Sequence, residues 1–178
     1  MAAEQELGAV VGRFESDNRR RRRIFAVAVP VGGVVAALTG LWFVVLAGRG
    51  GSPSLVLLPC LACGLALGAL AVGIQQAWLS RTRPDEAFTL HEGGFVHSYA
   101  GKSLAISWDE IVKIANEGRD NALYRVLGAD VRYRVKLRSA VGGRRVVMIT
   151  GITEDALRLG GTVQHAVHHG TRPKPEAP

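Results

Sequence analysis

Residues 24–47, IFAVAVPVGGVVAALTGLWFVVLA, and 54–79, SLVLLPCLACGLALGALAVGIQQAWL, contain no charged side chain, and only GRGGSP (48–53) separates them. As a helix the first run would be about 36 Å long, against a hydrocarbon core of about 30 Å. The reading is a transmembrane helical hairpin over residues 24–83, with spans at 24–47 and 54–79. Pro30 and Pro59 fall early in the two spans, and Trp78 with Gln75 and Gln76 suits the interface at the end of the second. Small residues recur every four positions at Gly32, Ala36 and Gly40, and again at Gly64 and Gly68. Such faces allow close approach of helices, within the chain or in a homo-oligomer.

The charges sit outside this hairpin. Arg19, Arg20, Arg21, Arg22 and Arg23 abut the first span, Arg81 and Arg83 follow the second, and Arg49 alone lies between. By the positive-inside rule the expectation is a multi-pass plasma-membrane protein with both termini cytoplasmic. The same residues account for most of the net charge of +7; from Pro84 onward there are thirteen basic against eleven acidic residues. The basicity thus reads as topology signal, and no nucleic-acid partner is expected. Arg22, Arg23 and Phe25 resemble a twin-arginine signal with a cleavage site near Val45 and Ala47, but the apolar run is too long and a second span follows.

Outward from the hairpin, residues 1–23 form a polar, arginine-rich segment. Its weak apolar cluster (Leu7, Val10, Val11, Phe14) reads as a frayed or partly helical lead-in. Residues 84–170 read as one small α+β domain, and 171–178 as a proline-rich, disordered tail. In the domain, apolar and polar residues alternate over 88–91, 95–99, 104–108 and 111–115, with turns at Glu92–Gly94 and Ala100–Ser103. A fifth strand is expected over 123–127, and the clearest over 130–138, where Val131, Tyr133, Val135 and Leu137 oppose Arg132, Arg134, Lys136 and Arg138. Residues 144–150 return as the seventh. Thr153 then caps a helix with Glu154 and Asp155 in its first turn, and Ile152, Ala156, Leu159, Val163 and Ala166 on its apolar face.

This order, together with LHEGGFV (90–96), the hairpin at Gly101, SWDEI (107–111) and a final helix near 157–167, resembles the bacterial membrane-anchored pleckstrin-homology-like (PH-like) domain proteins. The resemblance implies a seven-stranded antiparallel barrel or sandwich capped by a C-terminal helix, at a membrane. Its motifs are structural, so it implies no catalytic residues and no cofactor.

Isolated motifs carry little chemistry. Gly101-Lys102-Ser103 lacks the glycine five residues earlier and the following helix of a phosphate loop, and reads as a hairpin turn. Cys60 and Cys63 have no His, Asp or Glu in either span to complete a metal site. His165, His168 and His169 read as a solvated helix end. The residues that invite a partner are Arg132, Arg134, Lys136 and Arg138, continued by Arg144 and Arg145. That stripe suits anionic lipid head groups or an acidic protein partner. The expectation is a non-enzymatic membrane protein presenting its domain for lipid or protein interaction. The alternative is a ligand-sensing or accessory subunit of a transport or envelope complex, with Phe95, Tyr99 and Trp108 around a pocket.

Overall fold

A computed structural model describes residues 6–49 and 54–174. The expected turn at 48–53 therefore lies largely outside the described residues, as does the end of the 171–178 tail. The chain forms two units. One is Arg19–Thr82; the other joins the residues up to Asn18 to those from Arg83 onward.

The first unit is two helices, α1 (Asn18–Arg49) and α2 (Ser54–Thr82). Both are long and apolar enough to cross a membrane, and a helix satisfies its backbone polar groups internally, as hydrocarbon demands. The arginine run is no leader ahead of α1 but its first turns, and Arg21 is buried while Arg22 and Arg23 are exposed. Large apolar side chains such as Leu38, Leu41, Leu58, Leu61 and Leu65 are exposed along both helices. The helices approach each other at Gly32, where a Cβ would stand 2.9 Å from the Ala66 carbonyl oxygen, and at Gly73, where it would stand 2.7 Å from Val29 Cγ2.

The second unit is built from antiparallel strands: β1 (Val10–Glu15), β2 (Ala87–His91), β3 (Gly94–Tyr99), β4 (Lys102–Ser107), β5 (Ile111–Asn116), β6 (Arg132–Val141) and β7 (Arg144–Thr150). They form a four-stranded sheet in the order β1-β2-β3-β4 and a three-stranded sheet β5-β6-β7; among the described residues no ladder closes one onto the other, and a single bridge joins Ser16 to Thr153. A 3-10 turn, Trp108–Glu110, carries the chain between the sheets. Ala100 and Gly101 both take positive φ (48° and 72°) between β3 and β4, the two-residue geometry that matches strand twist; this is the hairpin expected at the Gly-Lys-Ser sequence.

Three details differ from the sequence expectation. Val10–Glu15 is a strand, not a frayed or helical lead-in; it pairs with β2 from Glu15↔Ala87 to Val10↔His91 and sends Phe14 into the core. The pairing supplies what local pattern lacks, because six residues containing Gly12 have little preference of their own. Residues 122–127 form helix α3, not a fifth strand. Asn121 Oδ1 accepts the Tyr124 N–H (2.8 Å) and Gly128 ends the helix at φ 65°, so cap and stop signals decide a short apolar run that periodicity leaves ambiguous. Finally, the last helix, α4 (Ala156–His169), begins after Asp155, which takes φ 45°. Thr153 does not cap it; its buried hydroxyl lies 3.3 Å from that of Ser16.

The core lies between the sheets and α4. Phe88, Phe95, Ile106, Val135, Ile149 and Leu159 are fully buried within it. On α4, Ala156, Leu159, Gly160, Val163 and Ala166 face inward. A Cβ on Gly160 would stand 2.1 Å from Tyr133 Cδ2, so only glycine admits the ring there.

Candidate interaction surface

Strand β6 sorts its side chains by parity. Tyr133, Val135 and Leu137 are buried, while Arg132, Arg134, Lys136 and Arg138 are exposed. Cross-strand register fixes what surrounds the exposed set. On β7, Thr150, Met148 and Val146 stand opposite Arg132, Arg134 and Lys136. On β5, Ala115 stands opposite Arg134, and Lys113 opposite Lys136. The outer face of the sheet is therefore a cationic patch interspersed with aliphatic side chains.

Lys113 and Lys136 are the unusual pair. Like charges directly opposite on neighbouring strands repel, and neither ammonium meets a carboxylate among the described residues. Arg134 and Arg132 are treated differently. Glu117, one residue beyond β5, places Oε1 3.0 Å from Arg134 Nη1 and Oε2 3.8 Å from Arg132 Nε.

The remaining stripe residues separate from this face. The register of β6 and β7 shifts between Lys136 and Val141, and Arg138 and Arg145 stay exposed beyond the regular ladder. Arg144 instead lies over the Tyr99 ring, 4.5 Å from its centroid. Sequence reading brought Arg132, Arg134 and Lys136 together but missed Lys113 and Glu117. Strict alternation from the buried Ile111 would turn Lys113 toward the core, and a bulge in β5 between Ile111 and Lys113 turns it outward instead, opposite Lys136.

The residues expected to set topology also divide. Arg19, Arg20, Arg22 and Arg23 stay with the N-terminal turns of α1, and Arg81 lies in the last turn of α2. Arg83 belongs to the β unit: its Nη1 is 3.1 Å from Glu86 Oε1, and its guanidinium is 5.7 Å from the Tyr99 centroid. Glu86 Oε1 also lies 2.9 Å from His97 Nε2, with both side chains buried. With the Arg83 guanidinium beside it, the Glu86 carboxylate serves as acceptor for a His97 Nε2–H donor, and His97 Nδ1 is buried without a hydrogen-bond partner among the described residues. Phe88 stacks on the imidazole, with centroids 4.4 Å apart.

Of the expected helix-packing residues, Gly32 is in the α1–α2 contact and Ala36 is half-buried, whereas a Cβ on Gly40, Gly64 or Gly68 would meet nothing within 4 Å. The contact uses Ala66 and Gly73, which the four-residue spacing did not single out. The aromatic trio does not enclose a shared pocket. Phe95 is in the core, Trp108 tilts against it at 6.2 Å and donates Nε1–H to the Glu92 carbonyl, and Tyr99 is engaged by Arg144. His165 and His169 have ring centroids 4.6 Å apart, and Cys60 and Cys63 are free thiols. Among the described residues no three His, Cys, Asp or Glu side chains are grouped to hold a metal ion.

These features define a protein with two apolar helices of spanning length and an α+β unit bearing one cationic sheet face. No protein-family model matches the chain, and no curated protein or solved structure shows significant similarity to it.

Proposed function

We propose that this is a non-enzymatic membrane protein whose PH-like unit, held at the cytoplasmic face by the helical hairpin, binds an anionic lipid surface through the outer face of β5-β6-β7. The observation that carries the reading is the Lys113–Lys136 juxtaposition. A cross-strand pair of ammonium groups lowers stability unless something anionic lies over both, and the neighbouring Arg134, Arg132 and aliphatic Val146 extend the same flat face. Each cation near an anionic leaflet contributes about 1 kcal/mol, and a bilayer-anchored chain holds that face at high effective concentration without strong individual contacts.

Two further features favour the arrangement. Antiparallel strands in two sheets followed by α4 are compatible with the layout that the resemblance implies, although β1 enters it and the strand expected over 123–127 does not. The ladder between β1 and β2, with the Ser16 N–H donating to the Glu86 carbonyl at 2.8 Å, holds together the residue pair that brackets the hairpin. Two crossings return a chain to the side it left, and the arginine flanks favour the cytoplasmic side.

The test uses the full chain in nanodiscs of neutral lipid, or of neutral lipid with increasing anionic lipid, and amine-reactive footprinting at single-hit levels. The chain's lysines are Lys102, Lys113, Lys136 and Lys174, so two report on the face and two serve as internal references. Lys113 and Lys136 should lose reactivity about threefold or more relative to Lys102 and Lys174 as anionic lipid is added, and regain it in high salt. Equal reactivity in both bilayers would remove the lipid reading. Protection only in native membranes, with crosslinks from this face to a protein, would replace it with an acidic protein partner.

A further inference from the structure

We infer that Glu117 is a built-in competitor for the cationic face: an internal carboxylate that caps Arg134 and Arg132 until anionic lipid displaces it. This rests on the lipid reading above and concerns how that face is regulated.

The carboxylate is held in place by its backbone. The Glu117 N–H donates to the Arg132 carbonyl at 2.7 Å, and the next N–H, that of Gly118, donates to Asn116 Oδ1 at 2.9 Å. Gly118 lies so close to β6 that a Cβ would stand 2.1 Å from the Asp130 carbonyl oxygen. The segment therefore passes tightly along residues 130–132, and the side chain it carries meets the two guanidiniums from beside the strand. Its contacts, 3.0 Å to Arg134 and 3.8 Å to Arg132, are those of a half-exposed ion pair. Such a pair is weak enough for a competing anion to break.

The face is consequently divided. The Lys113–Lys136 pair carries no such cap, but it shares one sheet face with the arginines, so lasting contact of the lysines with lipid waits on release of Arg134 and Arg132. The arginine pair is released only when enough anionic head groups are present to replace one carboxylate at two guanidiniums. Engagement then rises more steeply with anionic-lipid content than it would on a patch of uncapped cations, and Glu117 sets where the rise occurs.

The footprint of Lys113 and Lys136 tests this in full-length protein in nanodiscs of graded anionic content. Glu117→Gln keeps the shape and the backbone bonds but removes the competing charge. It should move the midpoint of protection to lower anionic content, by about two- to fivefold, the range that breaking an exposed ion pair allows. Asp120→Asn is the control, because it removes one negative charge from the same connection, where Asp120 pairs with Arg125 and not with the face. A shift for Glu117→Gln with little for Asp120→Asn supports the competitor. Equal shifts, or no shift while the unaltered chain is protected, overturn it and leave the lipid reading standing. Absence of protection in every variant overturns both, and protection in Glu117→Gln alone supports both, with the cap dominant.

Discussion

Glu86 is the side chain on which a buried polar cluster converges. It is 4% exposed and lies within hydrogen-bond distance of Arg83 on one side and His97 on the other. Burying a carboxylate is unfavourable unless its charge and lone pairs are met, and here a guanidinium and an imidazole N–H meet them. Removing it would leave His97 without its Nε2 acceptor, in addition to its unpartnered Nδ1, and would strip Arg83 of a counter-charge. Glu86→Ala should therefore destabilise the β unit by about 3 kcal/mol. Glu86→Gln keeps an acceptor for His97 and should cost about 1–2 kcal/mol. Hydrogen exchange of the β2 and β3 amides in the full chain reads both, and equal protection in Glu86→Ala and the unaltered protein would show that the cluster contributes nothing.

Among the elements, α1 and α2 separate glycines that look alike in sequence. Gly32 and Gly73 allow backbone-close approach, whereas Gly64 and Gly68 face open space. Gly32→Leu or Gly73→Leu should disrupt the α1–α2 contact, while Leu at Gly64 or Gly68 leaves it intact; cysteine crosslinking between the helices distinguishes them. If Gly64→Leu separates the helices as strongly as Gly32→Leu, the contact assignment is wrong. The existence of both helices was legible because more than twenty uncharged residues leave few alternatives. Which face packs was not, since every face is apolar and spacing alone cannot choose. The same division holds in the sheets. Alternation announced β6 and which of its residues face out, because parity is local. Lys113 and Glu117 were hidden, because register across a bulge and the path of a connecting segment are written in no single strand. The helix α3 was misread despite Asn121 and Gly128, whose capping signals outweigh five apolar residues of either period.

For the whole molecule, the decisive feature is that the helical hairpin interrupts a β-hairpin. Strands β1 and β2 pair as neighbours in an antiparallel sheet, yet their connection consists of both long helices. A sequence reading that begins the domain at Pro84 loses this, because the partner of β2 lies on the far side of the apolar stretch. The consequence is energetic as well as topological. Without β1 the unit would lack Phe14, a core side chain whose removal costs about 3–5 kcal/mol, and would expose the edge of β2 to pairing with other chains. A fragment of residues 84–178 should therefore aggregate or lack dispersed amide resonances. Joining Asn18 to Arg83 through a short Gly/Ser turn, with residues 19–82 removed, keeps β1, the Arg83–Glu86 pair and every strand of both sheets. That chain should fold as a soluble unit with dispersed resonances and a β1–β2 ladder visible in cross-strand contacts. If the 84–178 fragment folds equally well and the joined chain shows no contact between residues 10–15 and 87–91, the N-terminal segment is not part of the sheet, and the hairpin precedes the domain instead of lying within it.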